Sequence, residues 1–401
     1  MIKEHCKAKM DYTEPVHYTV RGSSGHKIGT YSYVPISEVL KKYCSHEDVW
    51  GQIISEHNEL KDEDLLTDYK DGLYFKEHLF FREHPDALRL HLYEDEFEIV
   101  NPLGPKKTKY KLCAFYYTIG NLSGKYRSQL KHTHLALLVR YSHMKQVGME
   151  TILKPMMDDL KRLSTEGIII KVCGTEHKVY AALATCSADN LSAHMIGGFR
   201  MCFNSGRICR YCMASHSEIN HKFQEDSFIL RTTDVHKYHL QCVQHNTQDA
   251  ALYGVHGTSS FDDLGYFDVT KCLPPDIMHD MLEGVFPLTM KHVICEAHRQ
   301  KHITITEINE ELEKICIGQN DKANKPVLLS AQLHTKGIVG TASQKWCLFR
   351  LLPFIMGHRI PPGSRYWHVF LLCRDIADIV MAAKVRKDEL ACLELLVHIS
   401  F

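Results

Sequence analysis

Two groups of residues in this chain have the types and spacing that chemistry requires. Cys209 and Cys212 are separated by two residues in Cys209-Arg210-Tyr211-Cys212, and a tight C-x2-C turn lets both sulfurs grip one tetrahedral zinc ion. The same spacing also suits two ordinary buried thiols. The remaining zinc donors are sought downstream, among His216 and His221, His236 and His239, or Asp276 and His279 in PPDIMHDMLEG. Redox use of thioredoxin type is disfavoured, because no βαβ unit surrounds the pair. The second group is a pair of carboxylates. Asp95 lies within Glu94-Asp95-Glu96-Phe97-Glu98, and Asp189 lies at the end of KVYAALATCSADN. Carboxylates brought from separate elements to one point can hold two Mg2+ or Mn2+ ions, about 4 Å apart, for phosphoryl transfer. Each acid has a plain alternative: Asp95 as one of several solvated acids at a strand end, and Asp189 as the N-cap of the next helix.

Those residues need elements to carry them. Residues 1–85 read as a small helical leader, with apolar positions at helical spacing in PISEVLKKYCSHEDVWGQIISEHNEL. From Ala87 the pattern becomes that of strands. ALRLHLYEDEFEI alternates Leu88, Leu90 and Leu92, a turn at Asn101-Pro102-Leu103-Gly104 leads to YKLCAFYYTIG, and LALLVRYS follows, which together predict an antiparallel meander. A helix is predicted in METILKPMMDDLKRLSTEG, stopping at Gly167, then the β-rich IIIKV and KVYAALATCSADN, then a helix from Leu191 to Phe203. The order is β-β-β-α-β-α with a hairpin-like insertion. It puts Asp95 at the end of the first strand and Asp189 where a later strand runs into a helix. Beyond Cys209 the chain reads as loop-rich to residue 272 and then mainly helical, broken at IPPGS. The expected segments are therefore 1–85, 86–208, 209–275 and 276–401.

Composition sets the class. At 401 residues, 44% hydrophobic and 24% charged, the chain reads as globular, with room for two or three domains. It shows neither a secretory leader nor an apolar run of about 18 residues that would span a bilayer, so no membrane association is expected and the protein is placed in nucleus or cytoplasm rather than secreted. Fifteen Cys and 27 His in a reducing compartment favour thiols and metal ligands over disulfides. The formal net charge is zero, yet from Ile99 to Met149 there is no acid, while Lys106, Lys107, Lys109, Lys111, Lys125, Arg127, Lys131, Arg140 and Lys145 are all basic. Such a block can hold a phosphate backbone if the charges converge, and is otherwise a solvated face.

Taken together, YEDEFEIVNPLG, KYKLCAFYYTIGNLSGKYRSQL, SADNLSAHMIGGF followed by CRYC, and LPPDIMHDMLEGV resemble transposases of the CACTA (EnSpm) type, whose layout is shared by related eukaryotic elements and the V(D)J recombinase core. The resemblance spans some 200 residues. It implies an α/β fold, a ribonuclease H-like mixed sheet with a zinc-binding, mainly helical insertion, and Mg2+- or Mn2+-dependent cleavage and transfer of double-stranded DNA by a DDE set of acids. It further implies Asp95 as first acid, Asp189 as second, Cys209 and Cys212 as the start of the zinc-binding insertion, and Asp276-x2-His279 as the family's D-x2-H string. Lys106, Lys107, Lys109, Lys111, Lys125, Arg127 and Lys131 would contact DNA, with self-association left open.

The third acid is the weak point. Glu283, one helical turn beyond His279, or Glu296 on the same predicted helix can be put forward, although the family's Glu lies farther downstream and a helix-surface role for Glu283 is the plainer reading. The expected function is a transposase-derived DNA-binding protein with an incomplete metal site. An active nuclease using Glu283 or Glu296, or a zinc-stabilised interaction protein with no role in DNA, are the alternatives.

Overall fold

The computed structural model describes residues 12–58, 62–99 and 110–400. The chain forms two compact units. The first takes the described residues up to Asp62 together with Asp68–Pro274, and the second takes Glu63–Thr67 and the described residues from Pro275 onward.

The first unit is built on a six-stranded mixed sheet. Its elements in chain order are β1 (Val16–Arg21), β2 (Lys27–Tyr33), α1 (Ile36–Tyr43), α2 (Glu47–Asn58), β3 (Leu88–Glu98), β4 (Lys111–Ile119), β5 (His134–Arg140), α3 (Met149–Thr165), β6 (Ile168–Val172), β7 (Thr175–Val179), β8 (Ala181–Ser187), α4 (Asn190–Ile196) and α5 (Thr233–His245). Strands lie side by side in the order β1-β2-β5-β4-β3-β8. All neighbours are antiparallel except β3 and β8, which run parallel. The meander expected from Ala87 onward is β3-β4-β5. The segment KVYAALATCSADN, expected as one strand, is divided between β7, which closes a hairpin with β6, and β8, which joins the main sheet.

Residues 12–58 differ from the expected helical leader. VHYTVR and KIGTYSY are rich in β-branched and aromatic side chains. They pair through a tight turn in which Gly25 takes a positive φ of 78°, and β2 then joins β5 at Ser32↔Leu138 and Tyr33↔Leu137. The hairpin thus extends the sheet, and only α1 and α2 are helical as expected.

One face of β3 carries Leu88, Leu90 and Leu92 into a core shared with Ile152, Leu153, Met156, Leu160 and Leu163 of α3, the stripe that a period of 3.6 residues presents on one side of a helix. Residues 209–274 contribute Leu240, Val243, Phe261, Phe267 and Leu273 to this same core, so the loop-rich segment is integral to the first unit. The helix after β8 ends at Ile196, short of Phe203, because Gly198 turns left-handed at φ 71°. A Cβ there would meet the Gly257 carbonyl oxygen.

The second unit is helical. Its elements are a π-helical turn (Met278–Val285), α6 (Phe286–Arg299), α7 (Ile305–Lys314), α8 (Ala342–Met356), α9 (Arg365–Val380) and α10 (Lys387–Ser400), with Leu65–Leu66 paired to Val385–Arg386. Phe286 and Phe349 stack with centroids 4.2 Å apart at its core. Among the described residues no helix is long and apolar enough to cross a membrane.

A buried carboxylate ties β2 and α1 to α3. Asp159 of α3 accepts from the Tyr33 hydroxyl at 2.7 Å, the Ser37 amide at 3.0 Å and Arg162 at 2.6 Å. Burial pushes its pKa up, but these donors outweigh it and hold the carboxyl below the usual range. Asp159→Ala orphans three donors and should cost about 1–3 kcal/mol in denaturant unfolding of the first unit. Since the folded pKa is depressed, this contribution is present above about pH 4 and lost as pH falls below it. The gap between wild type and variant should therefore close in acid, and a gap independent of pH would contradict an ionised Asp159.

Candidate metal centre and nucleic-acid interface

Alternation along β3 sorts its acids. The face that buries Leu88, Leu90 and Leu92 continues through Glu94 and Glu96, while Arg89, His91, Tyr93 and Asp95 occupy the other. Asp95 is exposed and opposite Ala114 of β4. Against β8, the parallel register runs from Leu88↔Ala181 to Tyr93↔Ser187 with a bulge after Leu90↔Leu183. The bulge inserts Ala184, after which Cys186 and Ala188 return to the core. Ser187, and by the same alternation Asp189, fall on the side of Asp95. Such re-aiming is what a bulge does to a strand. Asp95 and Asp189 each lie two residues beyond the last pair, at the same end of adjacent strands whose spacing is roughly 4.8 Å.

Asp189 is the N-cap of α4, and its Oδ1 accepts from the Ser192 amide at 2.7 Å. The capping role open from sequence is therefore real, and it fixes the carboxylate at the mouth of the strand. Glu94, missed from sequence, is the buried acid of this end. It is 1% exposed, accepts from the Cys113 thiol at 2.9 Å, and has its pKa raised to about 7. Burial is the main cause, and the charges of Glu96 and Asp189 add to it. The alternation that flagged Leu88, Leu90 and Leu92 carried the signal, because Glu94 is the next residue in that series. Glu96 pairs with Lys111. Oxygen donors on neighbouring strand ends suit a hard divalent cation.

The thiols sit on a knuckle closed by the bridges Arg207↔Ser215 and Cys212↔Leu230. The Tyr211 amide donates to Cys209 Sγ at 3.3 Å. Sharing the Cys212 proton lowers the Cys209 pKa to about 6, helped by backbone amides and Arg231, while Cys212 is pushed up in consequence. Buried Arg231 donates to the Cys209 carbonyl at 3.0 Å. His216 and His221 are exposed, whereas His236 and His239 are buried on α5. Both ring nitrogens of His236 lack a hydrogen-bond partner among the described residues. Burial, then the Arg231 charge, lowers its pKa to about 4. Among the described residues no three His, Cys, Asp or Glu side chains form a group able to hold a metal ion. Cys209 and Cys212 are thus two thiols on one knuckle, with no third donor grouped with them among the described residues.

Asp276, His279, Glu283 and Glu296 belong to the second unit. Asp276 Oδ1 accepts from the amides of Met278 and His279, and its Oδ2 pairs with His279 Nδ1 at 2.6 Å. The D-x2-H string thus braces the start of the π-helical turn. Glu283 pairs with Lys345 at 3.2 Å, and Glu296 with Arg299 at 2.6 Å.

Of the basic block, Lys106, Lys107 and Lys109 lie outside the described residues. Lys111 is engaged by Glu96, and Arg127 grips Asp68 through two bonds of 3.0 and 2.8 Å. Lys125, Lys131 and Arg140 are exposed. The local excess of charge is therefore partly cancelled by acids distant in sequence.

Neither a family model nor a curated protein matches the chain.

Raising the Glu94 pKa from about 4.3 when unfolded to about 7 when folded makes its contribution favourable at low pH and lost as pH rises through 7. Glu94→Gln should then stabilise the first unit at pH 8, on the order of 1–3 kcal/mol, and change little at pH 5. Thermal unfolding at the two pH values checks this, and an unchanged or lower melting temperature at pH 8 would refute it.

Proposed function

We propose that this chain is a transposase-derived, DNA-binding protein whose first unit is ribonuclease H-like and keeps part of a DDE-type metal site. The observation that carries the reading is the parallel pairing of β3 with β8 beside an antiparallel β3-β4-β5 meander. That arrangement brings Asp95 and Asp189 to one end of two neighbouring strands. In this reading the two carboxylates hold Mg2+ or Mn2+, which when bound would activate a water or a 3′-hydroxyl and stabilise the leaving oxygen. Asp189 is positioned for this by its cap on α4, and Asp95 approaches from the exposed face. Cys209 and Cys212 would give two thiolates to a structural zinc ion, the lowered Cys209 pKa being the property such a ligand needs. Exposed Lys125 and Lys131 would meet the backbone of double-stranded DNA, which implies a nuclear protein. The third acid is unassigned. Glu283 is exposed and paired with Lys345, as a helix-surface residue is, so the chain is read as binding without cleaving.

Two measurements test this reading. Duplex affinity should fall linearly with the logarithm of salt concentration, and Lys125→Gln with Lys131→Gln should reduce the slope by roughly 1–2. No duplex binding, or binding indifferent to salt, would leave the interaction-protein alternative. Supercoiled plasmid with Mn2+ should remain intact. Nicking by wild type that is lost in both Asp95→Ala and Asp189→Ala would establish the active-nuclease alternative instead.

A further inference from the structure

The sheet face that carries Asp95 changes character along β3. At the amino-terminal end it is roofed, with Phe81 packed over Ala182 and Ala184 of β8. Toward the other end the strand register sets His91, Tyr93 and Asp95 opposite Thr118, Tyr116 and Ala114, with Thr185 and Ser187 alongside from β8. The rings of Tyr93 and Tyr116 lie 5.1 Å apart at 40° and both are half-buried. Beside them a cleft of about 340 Å3 is lined by the Asp68–Arg127 pair together with Tyr69, His91, Thr118, Thr185 and Ser187. Beyond them the face continues to Phe97, which is exposed, and to Arg140, paired in register with Leu112. From Thr118 to Leu112 is a run of roughly 20 Å at 3.3 Å per residue.

We infer that this strip is a track for single-stranded DNA, in which Tyr93 and Tyr116 stack on unpaired bases and the hydroxyls beside them and Arg140 hold the flanking phosphates. The inference rests on the reading of the first unit as DNA-binding and names the form of strand presented to Asp95. Three features favour this occupant. A sheet face bearing paired, half-buried aromatic rings is a stacking platform for bases that are splayed out, and duplex bases, already stacked on each other, cannot reach it. Two hydroxyls stand beside the rings, Thr118 two residues from Tyr116 along β4 and Ser187 in register with Tyr93 across β3 and β8, and an apolar protein partner would leave them unmatched. Guanidinium groups stand at both ends of the strip: Arg127, neutralised by its two bonds to Asp68 and bonded also to the Gly120 carbonyl, and exposed Arg140, 5.7 Å from the Tyr110 ring centroid, which is the cation left for a phosphate at its end. Asp95 repels phosphate when no cation is present, so stacking rather than charge must dominate binding in a chelator. The salt dependence for a single strand should accordingly be shallower than for duplex.

Fluorescence anisotropy of the full chain in EDTA, with a labelled thymidine 15-mer and a blunt duplex of the same length, tests this. Tyr93→Ala and Tyr116→Ala should each weaken the single strand about fivefold or more and leave the duplex within about twofold, while Tyr93→Phe and Tyr116→Phe retain wild-type binding. Tyr→Leu variants, which keep apolar bulk without a ring, replace the alanines if those do not fold. In the unaltered protein, ultraviolet crosslinking of a 5-iododeoxyuridine oligomer should map to Tyr93 or Tyr116. Folded alanine or leucine variants that bind the single strand normally, an equal loss on duplex, or crosslinks confined to other residues would each overturn the track. Binding to neither DNA form sinks this inference and the preceding reading together. Salt-dependent duplex binding with a tyrosine-insensitive single-strand arm removes this inference alone.

Discussion

The parallel pairing of β3 with β8 is the constraint on which the rest of the first unit depends. Parallel neighbours cannot be joined by a tight turn, so the chain must cross over the sheet between them. Here the crossover is α3 followed by the β6-β7 hairpin, and α3 supplies the apolar stripe that covers the leucine face of β3. The crossover therefore does two things at once: it makes the core and it aligns two carboxyl-terminal strand ends. A one-residue slip would exchange the faces, and the extra residue at Ala184 uses that sensitivity. It lets β8 contribute Leu183 to the core before the bulge and Cys186 and Ala188 after it, while Ser187 and Asp189 stay in step with Asp95.

Burial and charge are set against each other at this end of the sheet. Glu94 is held in the core by strand alternation and, pushed toward neutrality by burial, meets a thiol rather than a cation. Glu96, two residues on, has Lys111. Asp189 is pinned by a helix amide and Asp95 is left to solvent. Four acids within a short span thus sit in four environments, and only Asp95 and Asp189 are both near the surface and on one side. The thiol knuckle follows the same logic, since the Cys212 thiol, backbone amides and lastly Arg231 favour one thiolate at Cys209 where two would repel.

What was legible in the sequence was local. The alternation of Leu88, Leu90 and Leu92, the turn that makes Cys209 and Cys212 neighbours, the helix of α3 and the cap at Asp189 all depend on residues within a few positions of each other, and the structure has them. What was not legible was pairing at a distance. VHYTVR and KIGTYSY carry strand composition, yet nothing in them states that Tyr33 will sit beside Leu137, a hundred residues on. In the same way, the acid-free stretch around Lys111 and Arg127 looks uniformly basic until Glu96 and Asp68 are brought to it by the fold.

The bulge at Ala184 shows why face assignments near a site are the hardest part to read. In AALATCSAD, simple alternation from Leu183 puts Thr185, Ser187 and Asp189 with the core and Ala184, Cys186 and Ala188 outside. That would bury three polar residues and expose small apolar ones, a conflict a strand resolves by inserting one residue. The conflict is visible in the sequence once the strand is placed. Its position is not, because an inserted residue anywhere between Leu183 and Cys186 would restore the match. Here His91 of β3 marks the place: its Nδ1 meets Thr185 Oγ1 at 2.8 Å, so the polar partner on the adjacent strand fixes which residue is extra, and with it the side on which Asp189 emerges.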